Sequence, residues 1–283
     1  MNHSLQNKSP LISIIIPFYN HNDYIKETLD SIIADSYPNK EIIIINDGSS
    51  DPDDSAITLW QVQHPKSNLT YIKRENHGFT ATLNELIKRA QGTFILPCAS
   101  DDYLINNTLQ ERINILLNNP EKPILFGDCT VVDSQGKLLY QSSLFELYNG
   151  RKENYVTPKG LLTEVVTRWS LAGPQDIMYK SVFDELGFYN EKLAVEDWDF
   201  YLRATKAYKV AFYDTQPVAA YRRHKHNATQ VQNLFYDISR TALHHFFRIP
   251  FPLNMVLIPL ALKNLYWGIR FSLRKFYHLR FNK

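Results

Sequence analysis

Two aspartates stand side by side at the end of an apolar run, in FILPCASDDYL, where Phe94 to Leu104 carries Asp101 and Asp102. Neighbouring carboxylates repel each other unless something positive sits between them or water screens them. A second pair, Glu196–Asp197, opens the segment EDWDFYLRA. Taken alone, acids at the start of a helix serve its dipole, at ~0.3–1 kcal/mol each. Asp47 and Asp51 lie in a third stretch, NDGSSD, which again follows an apolar run. A rim carrying Asp47, Asp51, Asp101 and Asp102 suits a divalent cation, and a cation there would attract phosphate. No G-x-G-x-x-G follows a strand and no G-x-x-x-x-G-K-[ST] occurs, so phosphates need another source of positive charge. A metal supplies it.

These acids need strands that end on one side of a sheet. ISIIIPFYN, EIIIIND, LTYIKREN and TFILPCA read as strands, the first two being continuous apolar runs that suit burial on both faces. Between them, one helix runs through Asp35 with Ile25, Leu29, Ile32 and Ile33 on one face. Another runs from Thr80 to Ala90, with Gly92 placed as its C-cap. Further helices are expected over Asn107–Asn118, Pro158–Trp169, Lys180–Leu186 and Glu196–Ala207, with a hairpin near Asp133–Gly136. Strands are expected near Val210–Tyr213 and Val218–Tyr221. Strand–helix alternation predicts an α/β fold with a mostly parallel sheet covered by helices on both faces. Ligands of such sheets sit at the carboxyl ends of the strands, where PFYNHND, NDGSSD, RENHG and ASDD all fall.

The 283 residues carry a net charge of only +2, unevenly spread. From His244 to Lys283 there are seven Lys or Arg and no acid, so the other 243 residues have a net charge of −5. The reading is a catalytic domain over residues 1–230 and a helical, basic segment over 231–283. The longest charge-free run of that segment, Ile249–Leu262, is too short to span a bilayer. A basic, aromatic-rich element of this kind fits the headgroup region of a membrane, with docking on the domain as its alternative. Nucleic acid is not expected as a partner, because no binding motif accompanies the charge. Cys98 and Cys129 have no metal or redox spacing and no secretory signal is evident, which fits buried free thiols in a cytoplasmic protein peripheral to the inner face of the membrane.

Four stretches in order, ISIIIPFYNHNDYIKETLDSIIADSYPNKEIIIINDGSSD, NHGFTATLNELIKRAQGTFILPCASDDY, GFYNEKLAVEDWDFYLRA and YRRHKHNAT, resemble the family 2 inverting glycosyltransferases over roughly residues 11 to 230. That resemblance implies the GT-A fold and transfer of a sugar from a nucleotide-sugar donor. It implies Pro17, Tyr19 and Asp47 in the nucleoside pocket, with Tyr19 against the base and Asp47 accepting hydrogen bonds from it, which favours UDP. Asn76 and Asn84 would border the nucleotide-sugar. Asp101 and Asp102 match the family's acidic metal motif, with Ala99 in place of its first acid. On this reading Asp102 is a ligand of Mg²⁺ or Mn²⁺ and Asp101 touches ribose or sugar. His224 would approach the metal and Arg222 the phosphate, and Asp197 matches the catalytic base. The acceptor implied is a glycan or a lipid-linked sugar of surface-polysaccharide assembly. A catalytically silent nucleotide-sugar or carbohydrate-binding protein on the same fold is the competing class. A sugar nucleotidyltransferase would need a Gly-rich basic loop that this chain lacks.

Overall fold

The computed structural model describes residues 9–50, 55–168, 175–225 and 234–281, so Asp51, Trp169 and the last residues of YRRHKHNAT lie outside it. The chain opens with β1 (Ile12–Phe18), α1 (Asn22–Ala34), β2 (Lys40–Asp47), α2 (Ser55–Gln63), β3 (Leu69–Arg74), α3 (Phe79–Arg89) and β4 (Phe94–Pro97). Next come β5 (Tyr103–Leu104), α4 (Leu109–Asn118), β6 (Ile124–Phe126), β7 (Cys129–Val132) and β8 (Leu138–Tyr140). After a π-helical turn at Ser143–Leu147 follow α5 (Lys152–Tyr155), α6 (Pro158–Arg168), β9 (Asp176–Tyr179), α7 (Ser181–Leu186) and α8 (Glu196–Ala207). The chain closes with β10 (Ala211–Phe212), β11 (Ala219–Arg222), α9 (Leu234–Phe246) and α10 (Leu257–Phe281).

The main sheet has the order β10-β6-β9-β4-β1-β2-β3. Strands β1 to β4 are parallel to one another, while β9 runs antiparallel to both β4 and β6. The isoleucine runs form central strands because both their faces meet apolar layers. Ile12, Ile14, Ile16 and Phe18 of β1 pack with Ile25, Leu29, Trp60 and Ile113 on one side. Ile15, Ile43, Ile45 and Ile95 pack with Leu83, Leu86, Trp198 and Leu202 on the other. Two sequence expectations need correction here. Ile33 lies one position beyond the buried seam of α1 and is 38% exposed. Gly92 is not a helix cap, since α3 ends at Arg89 and Ala90 N–H closes its last turn on Leu86 O (3.0 Å). A Cβ at Gly92 would sit 2.6 Å from Ser13 Oγ, so the glycine is needed for close approach to β1. Its N–H donates to Ser13 Oγ (2.8 Å), and the Ser13 hydroxyl in turn donates to Glu41. This polar knot ties the amino ends of the strands, opposite the acid-bearing rim.

A second sheet, β5-β11-β7-β8, places β11 antiparallel to β5 and parallel to β7. The expected hairpin turns at Asp133–Gly136, where Asp133 Oδ1 accepts from Gln135 N (2.9 Å) and Lys137 N (3.0 Å) and Gly136 takes φ +80. Cys98 and Cys129 are free and buried.

Helix α9 is tied into the body of the molecule. His245 Nε2 lies 2.9 Å from Asp199 Oδ1 of α8, and Asp237 Oδ2 accepts from Ala194 N (2.8 Å) in the loop before that helix. The boundary expected at residues 230 and 231 therefore separates residues that touch. Leu257 and Ala261 of α10 are buried, whereas Leu262, Tyr266, Trp267 and Ile269 are exposed, as are Phe247 and Phe251 between the two helices. Among the described residues no helix is long and apolar enough to cross a membrane.

Candidate active site

The Asp101–Asp102 repulsion is resolved by sending the two carboxylates in different directions. Asp102 is 1% exposed, and its Oδ1 accepts from Arg222 N (2.8 Å), the last residue of β11. Burial, and then the charge of Asp101, push the Asp102 carboxyl well above the usual carboxylate range. Arg222 is itself buried. Its Nε donates to Asp101 O (2.8 Å), its Nη1 to Asp133 O (3.3 Å), and its Nη2 pairs with Glu27. The guanidinium also stacks against Tyr24 and Tyr103. The side chain expected on phosphate thus braces the back of the acidic turn.

Asp101 turns toward histidines instead. His224 Nε2 is 2.8 Å from Asp101 Oδ2, and His21 Nδ1 is 3.8 Å from Oδ1. The two imidazoles meet edge to face at 5.4 Å. Ligand atoms of His21, Asp101 and His224 all lie within 4.8 Å of one another. One carboxylate and two imidazoles are a donor set that fits a divalent cation. Among the described residues this cluster does not include Asp102, so the carboxylate brought against His224 is that of Asp101. The sequence reading did not single out His21. Its available signal was a histidine in PFYNHND, the exit of the first strand.

The nucleoside-side candidates fall on the same rim. Pro17 is buried within β1 and Tyr19 stands 47% exposed at its exit. Asp47, at the end of β2, accepts from His77 N (2.8 Å) and Gly78 N (2.9 Å) and pairs with Arg74 (2.6 Å). Its carboxylate thereby fixes the loop at Asn76, whose Oδ1 accepts from Gly78 N (3.1 Å). Gly48 takes φ +70, and a Cβ there would meet Asn76 N at 2.6 Å. Asn84 is buried. Its Nδ2 donates to Tyr189 O (3.0 Å) and Glu191 Oε1 (2.8 Å), and its Oδ1 accepts from Tyr189 N (3.0 Å). It ties α3 to the loop leading into α8.

The second pair of acids starts that helix. Burial first, and the Asp197 charge next, push the Glu196 carboxyl up to about 8, so Glu196 is protonated at neutral pH. Asp197 is half-buried, and its Oδ1 accepts from Trp198 N (2.6 Å). Trp198 is core, its Nε1 donating to Val165 O (2.8 Å). Tyr148, which the sequence reading also missed, feels the charge of both pairs. Its phenol is pushed up by burial, then by the charge of Asp197, and also by Asp102, against the opposing charge of Arg223.

A mainly parallel sheet covered by helices, with this acid-bearing rim, defines a GT-A fold. S. aureus TarS residues 1–349 in complex with UDP-GlcNAc has the same fold, at TM-score 0.66 and 18% identity over 90% of this chain and 71% of that one. So does the mannosyltransferase PcManGT from Pyrobaculum calidifontis in complex with GDP-Man and Mn²⁺, at TM-score 0.64 and 18% identity over 92% and 75%. Residues 13–187 match the model of glycosyl transferase family 2, and the chain belongs to that family. An uncharacterized glycosyltransferase of Rickettsia bellii is 33% identical over 207 residues, 72% of this chain but 28% of that protein. The chain thus spans under a third of the length of that relative.

Proposed function

We propose that the chain transfers a sugar from a nucleotide diphosphate sugar, UDP-sugar by preference, to a hydroxyl of a glycan or lipid-linked acceptor, with inversion. The observation that supports this reading is the half-buried Asp197 at the start of α8, beside the buried Glu196 whose carboxyl is pushed up to about 8. With Glu196 pushed up, a like charge beside Asp197 is disfavoured, which suits the proposed role of Asp197 as proton acceptor. As the acceptor oxygen bonds to the anomeric carbon, its proton passes to Asp197. The bond from that carbon to the diphosphate breaks, and the electron pair leaves on the diphosphate oxygen. Asp101 and His224 would hold a Mg²⁺ or Mn²⁺ ion, which when bound supplies charge neutralisation for the leaving diphosphate. Tyr19 offers an exposed ring for the base, and Asp47 holds the loop that borders it. Asp197→Asn tests the reading: donor binding retained with transfer lost supports it, and transfer at the wild-type rate refutes it.

The exposed apolar and cationic face of α9 and α10 supports a peripheral membrane role, with the acceptor presented at the bilayer surface. Phe247→Ser with Phe251→Ser should weaken binding to vesicles containing anionic lipid while leaving the melting temperature unchanged. Undiminished binding would remove the membrane from the proposal.

A further inference from the structure

His21 belongs to neither of the roles above, yet the fold spends a strained residue to place it. Asn20 takes φ 55, in the left-handed region, and so turns the chain sharply after β1. The turn is held by Asn20 N donating to Ser49 Oγ (3.0 Å) and by Ser50 N donating to Asn20 Oδ1 (2.9 Å). His21 then stands at the N-cap position of α1 but makes no side-chain cap bond there. Its ring points across to the end of β4, where Nδ1 meets Ser100 Oγ at 2.8 Å and faces the Asp101 carboxylate. Side-chain exposures of 21%, 8% and 4% for His21, Asp101 and His224 put the three groups in a largely desolvated recess.

Two ligands each ~2.0–2.2 Å from one ion lie about 3 Å apart when adjacent in its coordination shell. The His224–Asp101 separation of 2.8 Å is already close to that, and the 3.8 Å from His21 to Asp101 closes by under an ångström. Magnesium prefers oxygen ligands and water, whereas imidazole nitrogen favours the transition metals. We infer that His21 is the third protein ligand of the cation site, and that the resulting set of two imidazoles and one carboxylate selects Mn²⁺ or Co²⁺ over Mg²⁺. The three ligands leave the remaining positions to diphosphate oxygens and water. This rests on the reading that Asp101 and His224 hold a divalent cation.

The test uses the full chain without donor. Mn²⁺ binding is titrated by loss of the free-ion EPR signal, Mg²⁺ by competition, and bound Mn²⁺ is probed for ¹⁴N coupling by pulsed EPR. Wild type should bind Mn²⁺ at least about tenfold tighter than Mg²⁺ and show two coupled imidazoles. His21→Ala, and His21→Asn should the first variant melt early, should lose about tenfold in Mn²⁺ affinity, keep its Mg²⁺ affinity and show one imidazole. His21 variants that bind Mn²⁺ like wild type, with both imidazoles still seen, would overturn the assignment while loss of binding in Asp101→Asn kept the site itself. Wild-type binding by Asp101→Asn and His224→Ala as well would overturn the underlying reading.

Discussion

The molecule contains the same problem twice, at Asp101–Asp102 and at Glu196–Asp197, and solves it in two ways. In each pair burial pushes one carboxyl up while its neighbour finds other partners, histidines for Asp101 and the Trp198 N–H for Asp197. At the end of β4 the member pushed up is the second residue, held by a main-chain N–H from a strand more than a hundred residues away. At the start of α8 the buried member is the first, and the helix is braced from behind by α9. The difference separates the roles: the first pair is set by sheet closure and suits a fixed ion, the second by a docked helix and suits proton transfer.

The sharpest way to break this comparison is to neutralise the other acid of each pair, Asp197 and Asp101. Asp197→Asn should cut transfer by about 10²–10⁴-fold with Mn²⁺ affinity unchanged, read by product formation and by titration. Asp101→Asn should lose Mn²⁺ affinity by about tenfold or more, whereas Asp102→Asn keeps the acceptor for Arg222 N and should stay within a few-fold of wild type. Equal losses in both would erase the division between them. His245→Ala removes the bond that holds α8, where His245, together with Arg203, holds Asp199 below the usual carboxylate range despite its burial. It should cost ~1.5–3 kcal/mol in urea denaturation and slow transfer while sparing metal binding.

The smallest expected effect on transfer comes with a pH dependence of stability. Glu196 has an ordinary value near 4.5 and is pushed up to about 8 in the fold. The unfolded chain therefore releases this proton first as pH rises. The contribution of Glu196 to stability is complete below about pH 4.5 and is lost progressively up to about 8. Glu196→Gln should be near neutral at pH 5, should flatten that decline and should exceed the wild type in stability at pH 8.5 in denaturant titrations. A wild-type slope in the variant would show that the proton is held elsewhere.

Much of this frame was legible in the residues. The isoleucine runs named β1 and β2 because continuous apolar segments suit only strands covered on both faces, and β1 to β4 lie parallel as the alternation required. Both acid pairs could also be located. What the order of residues did not carry was partnership across distance. Nothing near Asp101 indicates that His21 arrives from 80 residues before it, and His224, 123 residues after it, was expected near the metal only through the family resemblance. Ile33 and Gly92 were misplaced for a related reason. Helical periodicity does not say where a neighbour stops, and a glycine that serves β1 looks the same as one that ends a helix.

The main-chain bond from Arg222 to Asp102 has a consequence for any shortened version of this chain. A fragment cut at residue 187, where the family match ends, would retain the first four strands and lose β11, α8 and His224 together. Its turn after β4 would then face water on the side that β11 now covers. Asp102 would ionise like an ordinary surface acid, and the two neighbours would push each other apart.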